Sequence, residues 1–142
     1  MTRINVVPVQ ELHDKHLVAE YREIHRVFKL ARKCKDAPKQ YVLGTGHVKF
    51  FYDKLFFIAK RQKELYVEMK HRGFKPNLTP LIDQEGENMI SKVLADKWAL
   101  WNDYVPTKEA LELNRKRIAE RLTDMYGQKK LKQMYEEQLM DT

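Results

Sequence analysis

Three residues have the types and spacing for nucleophilic chemistry without a cofactor: Thr2, and the carboxylates Glu20 and Glu23. A small residue behind Met1 permits removal of the initiator methionine, which leaves threonine with a free α-amino group. An α-amino group has an ordinary pKa of about 7.7 to 8.0, against about 10.4 for lysine. Near pH 7.5 about a third of it is the neutral nucleophile, against about 0.1% of a lysine. Such an amine can attack a sugar or a carbonyl carbon directly. A neighbouring carboxylate would stabilise the cation that forms.

The carboxylates lie in the stretch HLVAEYREIHRVF, which has the 3.6-residue period of a helix with three faces. Leu17, Tyr21, Ile24, Phe28 and Ala31 make an apolar face, and Lys15, Arg22, Arg26, Lys29 and Lys33 a basic one. Between them run His16, Glu20 and Glu23 at i, i+4 and i+7. Carboxylates beside cations stay ionised, and a negative side chain within a phosphate-binding face weakens its hold on a polyanion. Two roles are open to the acids. They serve chemistry, or Glu20 or Glu23 forms an intrahelical ladder with Arg26 that contributes only tenths of a kcal/mol.

Other chemistries lack their residues. His13 and His16 stand at i, i+3 beside Asp14, but no cysteine set and no HExxH pattern completes a zinc site, so no metal is expected. Ser91 is the only serine and has no nucleophile-elbow context. The turn Gly44-Thr45-Gly46 lacks the lysine and hydroxyl residue of a P-loop. It suits a helix start whose free N–H groups hold a phosphate.

Lysine and arginine number 27 against 20 acids, for a net charge of +7 and a pI near 9.4. Because the cations cluster on helix faces, the expected partner is a polyanion. On DNA, the amine would attack C1' of a deoxyribose as the glycosidic bond breaks, giving an imine. The carboxylate would assist loss of the C2' proton, and the 3' phosphate would leave by β-elimination. Cys34 is the only cysteine, which excludes an intrachain disulfide and suits a reducing compartment. No apolar run of membrane length and no signal-peptide core occurs, so a soluble cytoplasmic protein without membrane contact is expected.

Glycine is scarce and β-branched alternation is short, which predicts an all-α fold. At 142 residues the chain is expected to form one compact domain, 1–142, of about three main helices. Residues 2–8 read as an extended arm, since Pro8 makes a poor central strand. A first helix is expected from residue 9 or 10 to about 35. A second is expected from Val48 to Gly73, with Phe51, Tyr52, Leu55, Ile58, Ala59, Leu65, Tyr66 and Met69 inward, and Asp53, Lys60, Arg61, Glu64 and Glu68 outward. A short helix over 86–100 is possible from its apolar spacing. Thr107 caps a third helix with Leu111, Ile118, Leu122 and Met125 inward and Arg115, Lys116, Arg117 and Arg121 on a basic side. Beyond Gly127 the tail predicts a short C-terminal helix.

In this order, the blocks MTRIN, HLVAEYRE, RVF, LGTGHVKFFYDKL, KRQKEL, RGF and DYVP resemble the phage pyrimidine-dimer DNA glycosylases, the endonuclease V family of UV repair. The resemblance covers most of residues 1–73 and 103–122. It implies a glycosylase and abasic-site lyase that uses no cofactor and acts as a monomer on double-stranded DNA carrying a lesion, in a bacterial or phage-infected cell. It also implies the amine on Thr2 and the carboxylate on Glu23, with Arg3, His16, Arg22, Arg26, Arg117 and Arg121 at DNA-contact positions. Repulsion from Arg3, Arg22 and Arg26 would lower the amine's pKa further. The chain departs from the family in several places. Lys15 and His25 replace a glutamine and a proline, and Arg121 stands where lysine is usual. The link after the first helix is shorter and that over 74–106 longer. A tryptophan- and tyrosine-rich tail is replaced by LTDMYGQKKLKQMYEEQLMDT. The alternatives are the same mechanism on a different damaged or modified base, or a non-enzymatic helical DNA-binding protein.

Overall fold

The computed structural model describes residues 4–33, 37–41, 47–81 and 100–127. The described residues form helices α1 (Asp14–Lys33), α2 (Leu55–His71) and α3 (Lys108–Tyr126), with one 3-10 turn before α1 (Val9–Glu11) and one before α2 (Val48–Phe51), and contain no strand. The fold is all-α. Thr2, Arg3, Cys34, the Gly44-Thr45-Gly46 turn, most of the 86–100 stretch and the C-terminal tail lie outside the described residues. The chain divides into two compact units, Met1–Val105 and Pro106–Thr142.

In the first unit, α1 and α2 pack together with the arm of residues 4–8 against them. Leu17, Tyr21, Ile24, Val27, Phe28 and Ala31 of α1 are buried, as the apolar spacing predicts, and so are Leu55, Ile58, Ala59, Leu65 and Met69 of α2. Ile4, Val6 and Val7 of the arm are equally buried. The arm is therefore part of the core. Lys15, Arg22, Arg26 and Lys29 are exposed, while the Lys33 side chain lies outside the described set.

Both helices begin later than their apolar period suggests. The chain makes one 3-10 turn at Val9–Glu11, extends at Leu12, and starts α1 at Asp14. His13 provides the cap: its carbonyl accepts from Leu17 N–H at 2.9 Å and its Nδ1 from Lys15 N–H at 3.2 Å. Arg72 takes the carbonyls a longer helix would have used inside itself. It donates to Leu12 O (2.7 Å), Val9 O (3.2 Å) and Gln10 O (3.4 Å), and pairs with Asp14 (3.0 Å) and Glu68 (2.9 Å).

The second helical stretch is likewise split, with the 3-10 turn Val48–Phe51 separated from α2 by Lys54 at φ −127°, ψ 45°. Phe57 N–H, left over at the start of α2, donates to Asn102 O at 3.2 Å. Lys60, bonded to Asp103 at 2.7 Å, draws the same 100–105 segment onto α2 and holds the Asp103 carboxyl below its usual pKa. Phe50, Phe51, Phe57 and Tyr104 pack edge-on and stacked at the junction, with centroids 5.1 to 6.4 Å apart. α2 ends in a Schellman motif, with Phe74 N–H on Met69 O (2.9 Å) and Gly73 N–H on Lys70 O (3.1 Å). Gly73 is at φ +90°, where a side chain would be strained.

In the second unit Thr107 caps α3, its Oγ1 accepting from Ala110 N–H at 3.1 Å. Ala110, Asn114 and Leu122 are its buried residues. Met125, expected inward, is exposed, because the buried row ends a turn earlier at Leu122. Gly127, at φ +78°, stops the helix.

Candidate active site

Along α1 the candidate residues occupy a strip between core and solvent. Arg22 and Arg26 are exposed and His16 is half-buried, its ring edge-on to that of His13 at 6.4 Å. Glu23 retains 26% of its side-chain exposure and pairs at 3.2 Å with Arg26, three residues further along the helix. Arg26 is 69% exposed, so this pair contributes a few tenths of a kcal/mol and leaves the guanidinium available to a phosphate.

Glu20 has a different environment. It is 2% exposed and accepts from Arg61 Nε at 2.8 Å, Arg61 Nη2 at 3.2 Å, Asn5 Nδ2 at 2.7 Å and Asn5 N–H at 3.2 Å. The other arm of Arg61 donates to Val7 O. Arg61, expected on the outer side of α2, is 3% exposed. Two opposite charges at stripe positions of two helices neutralise each other in the core, each with its remaining bonds made to the arm. Removing one partner of such a pair costs about 3 to 5 kcal/mol. The signal was present in the sequence, since Glu20 continues the row of Leu17, Ile24 and Val27, and Arg61 that of Ile58 and Leu65. A charge there reads as surface until a partner is known.

The arm has a direction. Leu12 and Val9 meet Arg72 beside Asp14, Val7 meets Arg61, and Asn5 meets Glu20. Going back towards the N-terminus the arm thus advances along α1 towards its C-terminal end. At Ile4, the buried His47 ring takes over, its Nε2 lying 3.1 Å from Ile4 N and 2.7 Å from Ile4 O. Glu23 stands one turn beyond Glu20, about 4.5 Å by helical rise.

The model of the pyrimidine dimer DNA glycosylase family matches residues 1–80, more than half of the 142-residue chain. The chain belongs to this family. The matched part contains the arm, α1 and α2, and so the whole of the strip just described. The protein is therefore a DNA-repair glycosylase and DNA is its substrate, which sets aside the non-enzymatic reading. Among the described residues of the glycosylase, no helix is long and apolar enough to cross a membrane, and no group of three or more His, Cys, Asp or Glu side chains is disposed to hold a metal.

The structure brings His16, Arg22, Glu23 and Arg26 onto one helix of the glycosylase. Arg117 and Arg121 belong to α3 in the other compact unit, beyond the family match. Arg117 lies 3.4 Å from Glu120, and Arg121 is half-buried. His25 takes part in a chain of bonds. Leu81 N–H donates to Gln62 Oε1 (2.7 Å), so the amide's other end donates to His25 Nδ1 (2.8 Å). The neutral ring then carries its proton on Nε2, and burial pushes its pKa down.

Proposed function

We propose that the glycosylase is bifunctional, excising a pyrimidine dimer and cutting the abasic site through an imine formed by the Thr2 α-amine once Met1 is removed. The neutral amine attacks C1', the glycosidic bond breaks, and the base leaves with the bonding pair and takes up a proton. Loss of a proton from nitrogen and opening of the sugar ring give the imine. Glu23 stabilises the cationic sugar and then takes the C2' proton; the C3'–O bond breaks, and the phosphate departs with its electron pair. Water hydrolyses the imine and restores the amine. Arg3, Arg22 and Arg26 hold phosphates and depress the amine's pKa by repulsion, and His16, Arg117 and Arg121 extend the DNA contact.

One observation carries this reading: Asn5 is bonded to Glu20, with the arm already advancing towards Glu23. Thr2 is three residue steps from Asn5, a span of at most about 10 Å, which covers the single turn from Glu20 to Glu23. Glu23 keeps 26% of its side-chain exposure, so its carboxylate is accessible to a sugar.

The test is borohydride reduction during reaction with an abasic duplex, followed by mass mapping of the adduct. An adduct on the N-terminal peptide beginning at Thr2 is the expected result. An adduct on a lysine, or none, removes the Thr2 mechanism.

A further inference from the structure

We propose that the buried Glu20–Arg61 pair, with Asn5, is the positioning device of the N-terminal amine. Glu20, Arg61 and Asn5 are positioning residues, and the proposal rests on the Thr2 reading above.

A nucleophile at the end of a chain has a difficulty that a side-chain nucleophile on a helix lacks, because every residue between it and the last fixed point adds two soft torsions. An imine forms quickly only when nitrogen and C1' are held in near-attack geometry. The last firmly held stretch therefore sets the amine's effective concentration. Among the described residues, the stretch nearest the amine in sequence is residues 4–7. Val7 O is held by Arg61, both the backbone and side-chain donors of Asn5 converge on Glu20 Oε1, and Ile4 meets His47. The Glu20 carboxylate is 1% exposed and the Arg61 guanidinium 3%. Water does not compete for these bonds.

The choice of groups also has a physical rationale. Helix-to-helix adhesion alone would be served as well by apolar residues of similar volume, since a buried ion pair often adds nothing over a hydrophobic replacement. A carboxylate and a guanidinium add directional bonds, and here those left over from the pairing end on Asn5 and Val7. Glu20 joins the arm to the helix that carries Glu23, so displacement of the arm relative to α1 is resisted one turn from the candidate carboxylate.

The experiment uses the full chain on an abasic duplex and reads the single-turnover rate of borohydride trapping and the Kd for uncleavable DNA separately. Glu20→Ala and Arg61→Ala leave a bare charge in the core and can unfold the protein, so Asn5→Ala is the principal variant. It leaves the ion pair intact and removes the 2.7 Å bond. Arg72→Ala serves as comparator, because it loosens the arm at Val9 to Leu12, at the opposite end of the arm from Asn5. Asn5→Ala is expected to slow trapping about ten- to a hundredfold with Kd within about twofold, while Arg72→Ala, at matched fraction folded, traps at about the wild-type rate. Trapping of Asn5→Ala at the wild-type rate overturns the proposal, as does an equal loss in Arg72→Ala, which would signify general loosening. Failure of the wild type to trap through Thr2 overturns the amine reading itself, and is distinguished by needing no variant.

Discussion

Two carboxylates one turn apart on α1 have been given opposite environments, and their chemistry divides accordingly. Glu20 accepts four hydrogen bonds in the core, while Glu23 sits at the edge of the strip, 26% exposed and beside Arg26. A group that must meet a developing positive charge on a substrate has to be reachable from solvent. Glu23→Gln should keep DNA affinity at or slightly above wild type, because a negative charge is removed from a basic strip. It should lower the single-turnover cleavage rate about a hundred- to a thousandfold. Cleavage of abasic DNA by Glu23→Gln at the wild-type rate would leave Glu23 as a ladder residue only. Arg26→Ala is expected to weaken binding by a comparable amount on all duplexes and to reduce the slope of log Kd against log salt by about one phosphate contact. An unchanged slope in a salt titration would remove Arg26 from the interface. At this scale the sequence marks Glu20 and Glu23 as acids out of place beside a basic face, and only the resemblance singles out Glu23 for chemistry. The pairing of Glu20 with Arg61 was not legible, because a charge in a buried row reads as surface until its partner, 41 residues away, is known.

Among the elements, the existence of the helices followed from apolar spacing, and their starts did not. The start of α1 depends on His13 as a side-chain cap and on Arg72, which reaches it from the far end of α2; neither contact is encoded in local periodicity. The break at Lys54 depends similarly on Asn102 and Tyr104. The His25–Gln62–Leu81 chain has a measurable consequence. His25 has its folded pKa pushed below the ordinary 6.5 by burial, so between the two values the unfolded chain holds more protons than the folded one. Stability is then complete above about pH 6.5 and declines as the pH falls through the folded value. Melting temperatures measured from pH 7 to 5 should fall in the wild type and fall less steeply in His25→Phe, which keeps a ring beside Tyr21 but cannot titrate. Equal slopes would show that His25 does not couple to folding.

For the whole molecule, the strip on α1 lies within the family match, whereas Arg117, Arg121 and the segment from Met125 onward lie beyond it. Chemistry and lesion recognition therefore need not have diverged together. No tryptophan follows Trp101, and the Trp101 ring packs edge-on against Phe56 at 5.4 Å in the first unit. A stacking contact of the kind implied by the family's aromatic tail contributes about 1 to 3 kcal/mol per base, so its loss would lower lesion discrimination about ten- to a hundredfold. The amine and Glu23 act on the sugar and would be unaffected. Three duplexes, carrying a cyclobutane dimer, an abasic site or no lesion, separate these contributions. We expect fast cutting at the abasic site, slower cutting at the dimer and none of the intact duplex. Cutting at the abasic site but not at the dimer would retain the imine mechanism and transfer the excision step to another damaged or modified base, to be found among defined lesion duplexes. Cutting at neither, by protein shown to begin at Thr2, would remove the lyase assignment and leave a glycosylase that does not work through its N-terminus.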